Sequence, residues 1–345
     1  MPHTVRAETS GTDLTPTLPA RLYHNPAAYE HEMEKIFRSE WLLFCHESQV
    51  STPGQYVAMT LAGRPVVVLR AKDGSLNGFH NVCRHRAAQI IEDGCGKAAS
   101  LRCPYHGWVY DGHGKLAKAP GFGGDEKALC EKTSLFPVHV AVHGGLVFVS
   151  MADTPPLFKT SLGDLPKALE TTDIPTFVFH KTASHHIACN WKTYVENYLE
   201  GYHIPAVHPA LNREVDMETY RAVNGNRIIR HETQMKDPDG NNSGLWLWFW
   251  PHAMLNIYKG GMNLELVLPT GPETCRLHYT YFFTKDTMDH ASTIDMSAAV
   301  TAEDITICEN VQRNLKAGVY DTGVLSPRHE QGLGYFQSLI KNTHA

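Results

Sequence analysis

Cys83-Arg84-His85 and, after 17 intervening residues, Cys103-Pro104-Tyr105-His106 decide how the first half of this chain is read. Each stretch offers one thiolate and one imidazole from a short loop. Two Cys and two His can hold a structural zinc, but zinc ribbons usually pair Cys with Cys in each knuckle, and Cys-x-His is an unusual knuckle. Cys-x-His with Cys-x-x-His instead suits a two-iron, two-sulfur cluster whose imidazoles both ligate one iron and whose thiolates both ligate the other. Neutral imidazoles in place of thiolates leave the cluster less negative, so it accepts an electron more readily.

Outward from these loops, Trp41 to Ser150 alternates short apolar runs (Tyr56–Thr60, Pro65–Arg70, Trp108–Tyr110, Val138–Val142, Leu146–Met151) with Gly-containing turns such as Asp73-Gly74 and Gly144-Gly145. This predicts a small all-β domain built from hairpins. Upstream, residues 1–25 read as an extended arm, and Asn25 caps a helix that begins at Pro26 and runs to about Glu40. Thr154-Pro155-Pro156 is the expected linker out of the β domain. Beyond it, His180–Cys189 reads as a strand. Trp191–Tyr202 has helical periodicity, and Leu245–Trp250, Leu255–Tyr258, Leu264–Leu268 and Cys275–Thr284 read as consecutive antiparallel strands. Ala298–Leu315 is again helical. The expected organisation is α+β: an arm and helix over 1–40, a β domain over 41–153, and a larger domain over 154–345 with an antiparallel sheet flanked by helices.

Composition narrows the partners. The chain has 345 residues, and 31 Lys and Arg against 36 Asp and Glu give a net charge of −5, which excludes a strongly basic nucleic-acid footprint. No apolar run approaches the roughly 18 residues of a membrane-spanning helix, and Met1–Thr17 has no apolar signal core. A cytoplasmic protein with no membrane association is expected. Eight Cys are too sparse for a disulfide scaffold.

On the helix expected over Trp191–Tyr202, Glu196, Asn197, Glu200 and His203 share the arc opposite the apolar side chains. For Glu196 the ordinary reading is a solvated face. His203 and His208 would diverge by about 140° on an unbroken helix. Pro205 is expected to end that helix and let both rings turn to one centre. A mononuclear iron that activates O2 takes two His and one carboxylate. Asp304 shares an apolar stripe with Cys308, Val311 and Leu315, where a buried carboxylate needs a partner or a metal. Glu303 falls on a more polar face. Against this, Thr301 and Asp304 could form a helix capping box, and both readings stand at this point.

Cys103-Pro104-Tyr105-His106-Gly107-Trp108, followed by Tyr110, Gly114 and Leu116, closely resembles the second cluster loop of Rieske domains in ring-hydroxylating oxygenases. Asn190-Trp191-Lys192, Glu196-Asn197-Tyr198, Glu200, Tyr202-His203 and His208-Pro209 resemble the iron-site segment of Rieske oxygenase α subunits, and the similarity runs from about Trp41 to the C-terminus. The resemblance implies a [2Fe-2S] cluster on Cys83, His85, Cys103 and His106, and a mononuclear Fe(II) on His203, His208 and Asp304, in a catalytic domain of helix-grip type. It implies that Glu200, beside Asn197 in the catalytic segment, bridges across a subunit interface to a cluster His of the neighbouring chain. It also implies a head-to-tail homotrimer served by a separate flavin or iron–sulfur reductase, so that NAD(P)H acts only indirectly. Many members have Asp where this chain has Glu200; Glu resembles the branch that oxidises quaternary amines such as choline, betaine and carnitine.

The implied activity is O2-dependent hydroxylation of a small organic substrate, leaning to oxidation or N-demethylation of a quaternary amine. The alternatives are hydroxylation or cis-dihydroxylation of an aromatic compound and, from another class, a Rieske electron carrier or redox sensor. The alternation Trp246-Leu247-Trp248-Phe249-Trp250 puts all three Trp on one face. Core packing is the ordinary reading; a wall of an aromatic cage for a quaternary ammonium is the sharper one. Trp248, Trp250, Asn256 and Tyr194 are the candidate pocket residues. An anionic aromatic substrate would want Arg or Lys there, with Arg227 and Lys259 the residues in question.

Overall fold

The computed structural model describes residues 14–233, 236, 244–287 and 290–345. Among these, the strands form three antiparallel sheets. A seven-stranded sheet runs in the order Leu42–His46, Leu146–Ser150, Pro137–His143, Leu76–His80, Arg64–Arg70, Gln55–Leu61, Gly94–Lys97. A three-stranded sheet of Leu101–Arg102, Val109–Tyr110 and Leu116–Lys118 stands beside it. The second seven-stranded sheet has the order Val178–Ile187, Thr274–Phe283, Gly261–Gly271, Ala253–Tyr258, Gly244–Phe249, Ile228–Glu232, Arg221–Asn224. Its largest helical neighbours in sequence are Trp191–Tyr198, His290–Lys316 and Gln331–His344. The architecture is α+β, as the patterning implies. Met1–Asp13, half of the expected N-terminal arm, lies outside the described residues.

Asn25 does cap the first helix: its Oδ1 accepts from the backbone of Ala27 and Ala28, and Pro26 opens Pro26–Glu32. That helix is joined to the catalytic half by a fully buried ion pair. Lys192 Nζ lies 2.7 Å from Glu32 Oε2 and also donates to the carbonyl of Leu22. Glu32 accepts further from Trp191 Nε1 and lies 3.1 Å from His344 Nε2. One carboxylate thus holds together the N-terminal helix, the helix that carries the catalytic segment and the C-terminal helix.

Three expectations are corrected. The helix expected to reach Tyr202 stops at Tyr198. Gly201 explains the break, because a Cβ there would lie 2.5 Å from the Tyr220 ring, and the chain passes that ring only without a side chain. Pro205 begins a helical turn instead of ending one: it sits in the first turn of Ile204–Val207, where its missing N–H costs nothing. Thr301 is no N-cap. It lies eleven residues into His290–Lys316, and its hydroxyl donates back to the carbonyl of Ser297.

Candidate functional site

The two Cys/His loops share one backbone plan. In the first, Cys83 N–H donates to Ala88 O and Ala87 N–H to Cys83 O. In the second, Cys103 N–H donates to Trp108 O and Gly107 N–H to Cys103 O. The fourth residue after each Cys takes a left-handed conformation, with φ 56° at Ala87 and 75° at Gly107. These turns direct both thiols inward, where Cys83 and Cys103 are 3% and 2% exposed in a small core with Trp108, Tyr110 and Leu116. Tyr110 supports the first loop, its hydroxyl 3.3 Å from Cys83 Sγ and accepting from Arg84 N–H. Both imidazoles stand at the surface, with His85 stacked on Trp108 at 4.8 Å.

His85 Nδ1 and His106 Nδ1 face each other at 3.1 Å. Two ring nitrogens converging on one point at the surface, over two buried thiols, match a cluster with a His-ligated outer iron and a Cys-ligated inner iron.

The second centre is assembled by two short helical turns and one long helix. After Tyr198 the chain turns, and Glu200 Oε2 accepts from the backbone N–H groups of Tyr202 and His203. His203 thereby becomes the first residue before Ile204–Val207. His208 stands at the joint between that turn and Pro209–Glu214, with a non-helical φ of −118° and ψ of 76°. The joint swings the His208 ring back towards His203, and the two Nε2 atoms lie 3.2 Å apart. Asp304, from His290–Lys316, puts Oδ1 3.0 Å from His208 Nε2 and 3.8 Å from His203 Nε2. One donor atom from each residue falls within 4.8 Å of the others, the single such metal-ligand group among the described residues.

Each member of this set has an outer partner. Glu200 Oε1 lies 2.6 Å from His203 Nδ1, Glu303 Oε2 lies 2.7 Å from His208 Nδ1, and Asn197 Nδ2 donates to Asp304 Oδ1 at 2.6 Å. Carboxylates on the far nitrogens fix the ring tautomers and leave both Nε2 lone pairs facing the centre. Burial alone would lower the basicity of His208, but its hydrogen bonds to Asp304 and Glu303 outweigh this and raise its pKa. Two imidazole nitrogens and a carboxylate oxygen facing one point favour a positive charge there. Two imidazoles and one carboxylate, with further positions open towards a cavity, suit a non-haem Fe(II). Glu303 belongs to this site although sequence periodicity placed it on a plain polar face.

The cavity beside the centre has a volume of about 470 Å³. Tyr194, Tyr198, Tyr220, Trp246, Tyr258 and Tyr279 give it aromatic walls, and Asn256, Asn263 and Glu265 form its polar side. Tyr194 and Asn256 are thus where the sequence reading expects them. Trp248 and Trp250 are not. Trp248 is fully buried, its ring packed 5.5 Å from Phe336 and its Nε1 donating to Pro251 O; Trp250 adjoins the same Phe336. The shared face of the strand is correct, but the Gln331–His344 helix covers the far end of it, so only Trp246 meets the cavity. Arg227 is held by Glu40 at 2.8 Å, and neither it nor Lys259 lines the cavity.

Glu196 is a further correction to the expected solvated face. It accepts from Tyr23 Oη at 2.7 Å and from Gln337 Nε2 at 3.0 Å. Burial raises its carboxyl to about 7.

Residues 40–131 match the Rieske [2Fe-2S] domain, and residues 175–343 match the ring hydroxylating alpha subunit catalytic domain. The chain is 31% identical over 347 residues to the chloroplastic choline monooxygenase of Beta vulgaris, with 96% of this chain and 77% of that protein covered. It is 30% identical to the carnitine monooxygenase oxygenase subunit of Escherichia coli (strain K12), covering 94% and 92% of the two. A quaternary ammonium Rieske monooxygenase crystallised with its substrate L-carnitine superposes with a TM-score of 0.88 at 28% identity, over 96% of this chain and 97% of that one. The two-loop cluster site, the two-His, one-carboxylate centre and these similarities agree: the chain belongs to the Rieske oxygenase α subunits, enzymes that use a [2Fe-2S] cluster, a mononuclear iron and electrons from a separate reductase to incorporate O2.

Proposed function

We propose that this chain is the terminal component of an oxygenase that oxidises a small quaternary amine. The observation that carries the substrate class is the cavity wall: six aromatic side chains and no Lys or Arg among its described residues. Aromatic faces attract a cation that cannot donate hydrogen bonds, whereas an anionic aromatic substrate would find no basic partner. The relatives named for choline and carnitine support the same class.

In this reading Cys83, His85, Cys103 and His106 hold the cluster, and His203, His208 and Asp304 hold the iron. The iron, when bound, supplies O2 activation and oxidation of a substrate C–H bond. Asn197 orients Asp304 through its 2.6 Å hydrogen bond. Glu200, clamped on His203 Nδ1, orients that ring and serves as the carboxylate through which a cluster His of a neighbouring subunit couples to the site in a homotrimer. The arm and first helix (1–40) and the 154–345 segment act as one catalytic body, with 41–153 as the electron-transfer domain. No helix among the described residues is long and apolar enough to cross a membrane.

The test is anaerobic iron and acid-labile sulfide per chain, with EPR of the dithionite-reduced protein. About three irons and two sulfides with a Rieske-type signal are expected from one cluster and one mononuclear site. His203→Ala should lower iron by one and leave sulfide and the signal intact. Ferrous iron that binds His203→Ala as well as wild type refutes the ligand assignment, and a chain that oxidises no quaternary amine with a competent reductase refutes the substrate class.

A further inference from the structure

Resting on the quaternary-amine reading, we propose that Glu265 is the counter-ion for the substrate's ammonium group and that the true substrate is a net cation, an alkyl- or hydroxyalkylammonium without a carboxylate. Glu265 is 6% exposed on Gly261–Gly271 and faces the cavity. Every partner it has there is a neutral donor. Tyr198 Oη donates to Asn256 Oδ1 at 2.9 Å, and Asn256 Nδ2 donates in turn to Glu265 Oε1 at 2.6 Å. Asn263 is fixed between Tyr258 and Tyr279, donating to Tyr279 Oη at 3.1 Å and accepting from Tyr258 Oη at 2.8 Å. This network aims the Asn256 amide at the carboxyl and occupies the hydroxyls of Tyr198, Tyr258 and Tyr279.

Ion pairing is what Glu265 lacks. It makes no salt bridge with any described Lys, Arg or His, and burial, with the Asp304 charge adding to it, raises its carboxyl to about 8. A buried carboxylate surrounded by donors and aromatic faces is completed by a permanent cation that cannot itself be neutralised. The same wall argues against a zwitterion. Glu200, Glu214, Glu265 and Asp304 all line the cavity, and no described Lys or Arg does, so a substrate carboxylate would meet acidic side chains and no permanent cation of the chain.

The experiment uses the full-length iron-loaded enzyme without O2, with binding followed by calorimetry and by the fluorescence of the cavity's Trp246. Choline, L-carnitine and 3,3-dimethylbutan-1-ol, the uncharged isostere of choline, are compared. Choline is expected to bind at least about tenfold more tightly than either, the range typical of one well-placed charge contact. Glu265→Gln should remove most of that preference while leaving binding of the uncharged isostere unchanged. Should the variant fold poorly, competition by tetramethylammonium in the wild-type enzyme reads whether the cationic head is bound by itself, and tetramethylammonium that fails to displace choline overturns the proposal. L-Carnitine binding as tightly as choline overturns the proposal and leaves the quaternary-amine reading standing. An isostere that binds as tightly as choline, or no binding by either amine, overturns both.

Discussion

Replacing Glu303 with Ala removes the carboxylate that holds the far nitrogen of His208. The contact spans 2.7 Å between a ring whose side chain is 2% exposed and a carboxylate whose side chain is 40% exposed. Removing an outer partner of a metal-bound imidazole lowers metal affinity about 10- to 100-fold, or about 1.4–2.8 kcal/mol at 1.4 kcal/mol per decade. Solvent screens the exposed side of this pair, so the expectation lies at the lower end, about tenfold. Anaerobic competition between the protein and a ferrous chelator measures it, with acid-labile sulfide as the internal standard for an intact cluster. Asp304→Ala, which removes a donor atom from the centre itself, should retain no mononuclear iron. Glu303→Gln should recover part of the affinity, because its amide oxygen can still accept from Nδ1–H. Unchanged iron affinity in Glu303→Ala refutes the positioning role. Sulfide that falls in step with iron refutes it differently, by showing a general loss of structure.

Three further outcomes follow from the packing. Lys192→Met strands the Glu32 carboxylate in the core and should cost about 3–5 kcal/mol in denaturant unfolding, with Lys192→Met/Glu32→Leu recovering most of it; a single variant within about 1 kcal/mol of wild type contradicts the role given to the pair. Between its ordinary 4.5 and the raised value of about 7, Glu196 holds its proton more firmly in the native state than in the unfolded chain, so its contribution to stability falls as pH rises through that window. Glu196→Gln should therefore match wild type in thermal midpoint near pH 4 and gain on it by pH 8, and a difference that does not vary with pH excludes this titration. Trp248→Ala should cost about 3–5 kcal/mol of stability as a core truncation, whereas Trp246→Ala should chiefly raise KM for the amine; the reverse pattern would return Trp248 to the cavity.

The cluster half was legible in the sequence because the Cys and His proposed as its ligands lie within a few residues of one another on two tight loops, and the spacing itself suggests the chemistry. The iron half was legible in kind but not in construction. The periodicity of Trp191 to Tyr202 extends the helix past Tyr198, and nothing local announces that Gly201 must pass against Tyr220, a contact made by a residue 19 positions later. Pro205 can end one helix or begin another, and its local sequence is the same in both cases. Alternation along Trp246 to Trp250 identifies a common face correctly. It does not say how far the C-terminal helix extends over that face, which is what separates a cavity wall from core.

Glu303 and Asp304 show most clearly where pattern reading stops. Adjacent residues on a helix point about 100° apart, so assigning one to the site and the other to a polar surface is the natural inference. That inference treats the target as a point. An imidazole has two nitrogens on opposite edges, and the His208 ring lies along the helix closely enough for Asp304 to reach Nε2 while Glu303 reaches Nδ1. One turn of helix therefore supplies both a donor to the centre and the carboxylate that orients another donor. The Glu-Asp pair makes sense only once a ring from 95 residues earlier in the chain is placed against it. The same holds for Glu265, which reads as one polar residue in an apolar strand until Asn256 and Tyr279 of its neighbouring strands are set beside it. In both cases the chemistry lies in pairings between distant segments, and each pairing leaves an unbalanced charge that points to what the site binds.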